Sequence, residues 1–145
     1  GGKGNEGVAA NVGRIKGAIG YVEYAYAKRN KLTHMQVQNQ AGQFVNPDDT
    51  TFAAAAAGVD WFSVPGMGVS MVNAKGEKAW PISTASFILM YREPANEAQS
   101  AEVLKFFDWA FKNGKAAAAE LDYVALPDAL TAQIRAKVWS QINAK

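Results

Sequence analysis

The chain has 145 residues, with fifteen Lys and Arg against thirteen Asp and Glu, a formal charge of +2, one His and no Cys. Its length is that of one domain able to bury close to ~70% of the surface its unfolded form exposes. The balanced, dispersed charge excludes the basic stripe of a nucleic-acid binder, and zero cysteines exclude a disulfide framework, a thiol nucleophile and a Cys-based metal site.

Read in chain order, Asn5 is expected to cap a short helix ending near Gly13, with Glu6 at its positive end. Residues 19–24 mix β-branched and aromatic side chains between Gly17/Gly20 and a more helical AYAKRN, the pattern of a buried strand leading into a short helix. Residues 35–38 are a second strand candidate, turned by Ala41-Gly42. Asn46-Pro47-Asp48-Asp49 supplies a cap, a Pro at the first helical position and first-turn acids, predicting a helix through the alanine run to about Gly58.

Residues 61–78 break into Gly, Pro, Ser and Asn and are expected to be loop. Residues 80–91, apolar after Pro81 through Ile82, Phe87, Ile88, Leu89 and Met90, predict a strand buried on both faces. From Glu97 to Asn113 a helix places Val103, Phe107, Ala110 and Phe111 on one stripe with Leu104 beside it, and Gly114 stands at its C-terminal cap. A short helix over 115–121 follows, and after ALP a last helix repeats Leu130, Ile134, Val138 and Ile142 every four residues. The elements define an α/β or α+β protein with more helix than strand. Apolar runs reach only residues 52–59 and 87–91, far short of the ~18 that span a bilayer.

Several residues invite a chemical reading. GGKGNEGV at 1–8 has glycines that could bring backbone N–H groups to an anion at a helix start, but it lacks GxxxxGK[ST] spacing and a preceding strand, so a turn plus helix start is preferred. His34 has no acid or nucleophile at a telling spacing and reads as a surface histidine, which leaves no metal cluster and no triad. Asp48-Asp49 lacks the oxygen ligands of a cation loop and reads as helix-start acids.

Glu23, between Tyr21 and Tyr24 in an apolar stretch, is a candidate general base, or more plainly a carboxylate tied to backbone or to a tyrosine hydroxyl. Ser83, Thr84 and Ser86 are candidate oxyanion donors, or hydroxyls bonding their own surroundings. Lys28, Arg29 and Lys31 read as a solvated helix end rather than a partner site. Phe106, Phe107, Trp109 and Phe111 are read first as core and second as a docking face.

Six blocks run in order along the chain: GGKGNEGVAANV at 1–12, GAIGYVEYAYA at 17–27, FVNPDDTTFAAAAAGVDW at 44–61, KAWPISTASFILMY at 78–91, EVLKFFDWAFKNG at 102–114 and LDYVALPDAL at 121–130. In these the sequence resembles the C-terminal half of the periplasmic phosphate-binding proteins, the solute receptors of Pst-type phosphate importers. The resemblance implies a partial type-II periplasmic-binding-protein clamshell of α/β class. Residues 1–78 would be the later part of the second lobe, 79–91 a crossing or hinge strand, and 92–145 the C-terminal helical part of the first lobe.

The same resemblance implies a periplasmic protein, not an enzyme, that captures inorganic phosphate without metal or cofactor and delivers it to ABC permease subunits at the membrane. In the family, backbone N–H groups, hydroxyls and an Arg hold phosphate, and a carboxylate accepts its proton, which selects it over fully ionised oxyanions. The family's Ser-Gly-Thr loop and Arg lie upstream of the matched blocks, so no phosphate-binding residue is matched here, and the chain alone is expected to bind phosphate poorly.

The opening Gly1-Gly2-Lys3-Gly4, with neither Met nor a signal-peptide pattern, leads to the expectation of a processed or excised product. The alternatives are a self-associating or partner-binding module, or a receptor for another oxyanion. An enzyme such as a phosphatase on the same scaffold is disfavoured, since no nucleophile and base are paired.

Overall fold

A computed structural model describes residues 1–144. Its first helix, α1 (Gly4–Arg14), starts one residue ahead of Asn5. The amide of Gly7 already donates to the Lys3 carbonyl at 3.2 Å, so the first turn closes upstream and Lys3, not Asn5, takes the capping position without a side-chain bond. Glu6 does lie in the first turn, where it meets the positive end of the helix. Its carboxylate accepts from the Tyr26 hydroxyl at 2.9 Å, which fastens α1 to α2 (Tyr24–Arg29).

The stretch before α2 is not the expected buried strand. Tyr21 is 94% exposed and Ile19 nearly as open, and no backbone partner lies beside them. β-propensity describes a side chain that suits a pleated, half-buried surface, and it takes effect only where a neighbouring strand provides one.

Two short strands, β1 (Val37–Gln38) and β2 (Phe44–Val45), form an antiparallel hairpin with Val37 opposite Val45 and Gln38 opposite Phe44. Only half of the anticipated 35–38 strand is paired, and the turn falls at Ala41-Gly42 as the sequence predicts. The helix α3 (Asp49–Ala57) follows, ending at Gly58 as anticipated. Its cap is Asp48 rather than Asn46: the Asp48 side chain accepts from the Thr51 amide at 2.9 Å while the Thr51 hydroxyl accepts from the Asp48 amide at 3.0 Å. Pro47 therefore lies outside the helix, two residues before its first turn.

The expected loop over 61–78 is present, interrupted by one 3₁₀ turn at Pro65–Met67. It nevertheless carries much of the core. Trp61, Met71 and Ala74 are buried with Ala55 and Ala56 of α3, Ala79 and Leu130. The alanine face of α3 permits this, because residues 58 and 75 meet backbone to backbone. A Cβ on Gly58 would stand 2.0 Å from the Lys75 carbonyl oxygen. The Trp61 indole N–H donates to the Ala56 carbonyl at 2.8 Å, satisfying a carbonyl that the last turn of α3 leaves open.

Residues 80–91 differ most from expectation. Trp80 and Pro81 are buried, held by the Trp80 amide to the Thr51 carbonyl at 3.0 Å and by the Asn73 amide to the Pro81 carbonyl at 2.8 Å. Beyond them the chain is in no strand, and Ile82, Phe87, Ile88, Leu89 and Tyr91 are all exposed. A strand buried on both faces needs flanking strands and covering layers, which the described residues do not supply.

The remainder is helical: α4 (Glu97–Asn113), α5 (Lys115–Glu120) and α6 (Asp128–Lys137), then a 3₁₀ turn at Trp139–Gln141. The bounds of α4 match expectation and Gly114 closes its end, while its start is capped by Asn96, a residue the sequence reading did not single out, which accepts from the Gln99 amide at 3.0 Å. The last helix stops before Val138, so the four-residue repeat continues into a tighter turn. Arg135 joins α6 to α4, its Nε donating to Asp108 at 2.6 Å while its guanidinium lies 5.8 Å from the Phe111 and Trp139 ring centres.

Helices with one two-stranded sheet make this an α/β arrangement in the broad sense. No helix among the described residues is long and apolar enough to cross a membrane. The accessible surface is 10129 Å². A folded monomer of 15.5 kDa exposes about 7,200 Å². The excess of about 2,900 Å² is apolar in large part, because so many large hydrophobic side chains face outward.

Candidate functional site

Glu23 precedes the first turn of α2 and is exposed, so the reading of a buried carboxylate does not hold. It instead stands beside the phenol of Tyr123, whose pKa it raises by holding the hydroxyl proton and by its charge. The plainer expectation, a tie to a tyrosine hydroxyl, describes its neighbourhood.

That contact belongs to a larger seam. Lys28 donates to Asp122 Oδ1 at 2.6 Å and Arg29 Nη2 to the Leu121 carbonyl at 3.2 Å. The hydrogen bond from Lys28 keeps the Asp122 carboxyl below the usual range and raises the Lys28 ammonium in turn. Lys28 and Arg29 are thus the last turn of α2, as expected, but paired across ninety residues of chain. Sequence reasoning had no means to find Asp122, since nothing in LDYVALPDAL distinguishes it from a loop acid.

GGKGNEGV forms a turn and a helix start. A Cβ on Gly2 would lie 2.3 Å from the Gly7 carbonyl carbon, so these glycines approach one another rather than frame an open nest. His34 is exposed and packs edge-on to Tyr24, 6.2 Å between ring centres. Among the described residues no three His, Cys, Asp or Glu side chains gather as a metal site would require. Asp48 is the α3 cap, and its carboxyl is lowered by the Thr50 hydroxyl and then the Thr51 amide; Asp49 is a first-turn acid.

The Ser83 hydroxyl donates to the Trp80 carbonyl at 3.0 Å, an internal bond of the kind expected, while Thr84 and Ser86 are exposed. Phe107 and Phe111 are half-covered, Phe111 stacking on Trp139 at 5.6 Å. Phe106 and Trp109 are 60% and 59% exposed and stack on each other, which corrects the core reading for those two.

A concavity of about 1570 Å³ runs between the residues around α2, the 82–92 segment and the faces of α4 and α6. Tyr24, Phe52, Trp80, Phe87, Phe111 and Ile134 are among its wall residues. It is larger than the roughly 300–1,000 Å³ that enclose a small ligand, and its wall is mainly apolar. An anion the size of phosphate needs a small, donor-rich site. None of the sequence-predicted polar candidates converges on one.

No family model matches the chain. Among curated proteins it is 52% identical over 143 residues to the phosphate-binding protein PstS of Pasteurella multocida (strain Pm70), a match covering 99% of this chain and 42% of that protein. It is 53% identical over 137 residues to PstS of Haemophilus influenzae, covering 94% and 41%, and 51% identical over 136 residues to PstS of Xylella fastidiosa (strain 9a5c), covering 94% and 37%. The class of protein to which the sequence is related is therefore the phosphate-binding proteins. Within that class the chain is a relative of PstS, and it spans about two fifths of the length of the curated relatives it matches.

Proposed function

We propose that this chain is the part of a periplasmic solute-binding protein that completes a phosphate receptor for an ABC importer, without itself carrying the phosphate ligands. The observation that carries the reading is the identity of about one residue in two to PstS proteins over 94–99% of the chain. It is a reading of a binding protein rather than an enzyme, and no nucleophile stands beside a base at any of the candidate positions.

In this reading residues 1–78 belong to one lobe of a clamshell, residues 92–145 to the other, and residues 79–91 run between them as the hinge. In this structure the two regions also touch directly, Leu130 packing into the core around Trp61 and Lys28 pairing with Asp122. Closure of such lobes about a hinge buries the anion and forms the surface that a permease recognises.

Calorimetric titration tests the proposal. The chain alone is expected to take up no phosphate, and mixing it with the preceding three fifths of the Pasteurella multocida PstS is expected to restore binding, with sulfate rejected. Tight phosphate binding by the chain alone refutes the placement of the ligands elsewhere. A mixture that forms a complex yet prefers sulfate supports a receptor for another oxyanion.

A further inference from the structure

Among the described residues no backbone hydrogen bond joins residues 1–78 to residues 92–145. The side-chain hydrogen bonds between them all lie in one seam, where Lys28 donates to Asp122 at 2.6 Å, Arg29 donates to the Leu121 carbonyl at 3.2 Å and Glu23 stands beside the Tyr123 phenol. Arg29 Nε also lies 3.6 Å from Asp122 Oδ2. Three consecutive residues, 121–123, thus each face a charged group of α2 or of the residue before it. Elsewhere the two regions meet through Leu130, in the core around Trp61, and through the Lys137 ammonium, 4.4 Å from the Phe62 ring centre.

Asp122 takes its place in the seam at a cost to its backbone. The end of α5 closes as a Schellman turn, with the Asp122 amide donating to the Ala119 carbonyl at 3.0 Å and the Tyr123 amide to the Ala118 carbonyl at 2.9 Å. The left-handed position of that turn, which glycine normally fills, is occupied by Asp122 at φ 64°. The facing end of α2 closes in the same way, with Lys31 at φ 52° and the Leu32 amide on the Ala27 carbonyl at 2.9 Å. Glycine at 122 would close α5 with less strain but would offer no carboxylate to Lys28 and Arg29. The side chain at 122 therefore serves the seam rather than the cap.

We propose, resting on the two-lobe reading of residues 1–78 and 92–145, that this seam is an interlobe latch, a polar clasp that holds the lobes together and yields when they open. Lys28 and Arg29 are more than half exposed, so their pairs with Asp122 are weak and screened by salt, which suits a contact that must break and form again. The Leu130 contact depends on no charge and has no preferred direction, so it remains as the pivot while the clasp opens.

The chain has no Cys, so nitroxide labels on introduced cysteines can measure the distance between the two regions by electron–electron dipolar spectroscopy. Gln40→Cys with Gln99→Cys, exposed positions on the hairpin turn and on α4, spans the seam, and Gln40→Cys with Ala57→Cys stays within the first region. Each pair is expected to give one narrow distance in the otherwise unmodified chain. Asp122→Gly improves the cap and removes the clasp, and Lys28→Met removes the clasp alone. Both are expected to raise a second, displaced population of the spanning pair at least about threefold and to leave the other pair narrow. Sodium chloride at about 1 M, where charges are screened beyond about 3 Å, should do the same to the unmodified chain and add little in Asp122→Gly. Lys28→Arg keeps the charge and should keep the narrow distance. An Asp122→Gly chain that folds, by circular dichroism, and keeps the spanning distance narrow overturns the proposal and makes residue 122 a cap alone. Lys28→Arg behaving as Lys28→Met overturns it too, as does equal broadening of both label pairs. If Asp122→Gly does not fold, Lys28→Met and the salt series decide, and a spanning distance indifferent to both overturns the latch. Because phosphate plays no part in these distances, their failure leaves the receptor reading to its own calorimetric test.

Discussion

The side-chain amide of Asn39 donates to the carbonyl of Glu77 at 2.8 Å, tying the β1–β2 hairpin to a loop thirty-eight positions away. Asn39 is buried, and the same nitrogen lies within reach of the Gly76 and Ala79 carbonyls. Its oxygen accepts from the amides of Ala41 and Gln43. Asn39→Ala leaves these groups without partners and is expected to cost about 2–3 kcal/mol in urea unfolding. Asn39→Asp points a carboxylate at three carbonyl oxygens, so its folded-state pKa is raised. That variant should be most destabilised at neutral pH and recover as acid restores one donor.

Gly58 and Lys75 touch backbone to backbone, and a methyl group cannot enter without moving one of them. Gly58→Ala is expected to lose about 1–3 kcal/mol. Its φ of −79° is ordinary for any residue, so the loss measures the collision alone. Gly68→Ala, where nothing lies within 4 Å of the added carbon and φ is −74°, should be neutral or slightly stabilising by thermal denaturation.

Asp48 caps α3 in its ionised form. Its carboxyl is lowered by the Thr50 hydroxyl and the Thr51 amide, so its contribution is fully present above the ordinary carboxylate pKa and is lost as pH falls through the depressed value. Asp48→Ala should cost about 1 kcal/mol at neutral pH, and its difference from the unmodified chain should shrink in acid. Asp48→Asn retains an acceptor and should show a smaller loss with little pH dependence.

Asp122 governs the seam between α2 and the 121–123 turn. Its depressed carboxyl gives a contribution that disappears as pH falls through the lowered value, and the raised Lys28 gives one that disappears as pH rises through the raised value. Asp122→Asn removes the charge pairing with both Lys28 and Arg29. Tryptic cleavage after Arg29 is expected to quicken a few-fold in that variant and to leave cleavage after Lys112, on the intact α4, unchanged.

What the sequence made legible followed from how far its signals reach. The end signals of α3 and α4 lie within a few residues of the groups they satisfy, so the Asn46-Pro47-Asp48-Asp49 start with Gly58, and Gly114 after Asn113, announced two helices to within about two residues, although Asp48 rather than Asn46 is the cap of α3. A strand has no such local closure. Residues 19–24 and 80–91 carry strand-like composition, yet pairing depends on distant chain, and no such neighbour is among the described residues. Glu23 failed as a buried acid for the same reason, because its burial was inferred from a strand that does not form. Asp122 and Asn39 escaped notice because polar loop residues acquire meaning only from what folding brings beside them. The kinship to PstS, in contrast, was carried by ordered blocks of residue identity and did not depend on any of those elements.

The surplus of exposed surface also bears on how the chain responds to heat and denaturant. The heat capacity of unfolding and the steepness of denaturant dependence both scale with surface newly wetted, and much of this chain's apolar surface is wet before unfolding begins. Where an ordinary domain of this length shows a heat-capacity increment of about 2 kcal/mol/K, this one should show less, with a broad and shallow melt.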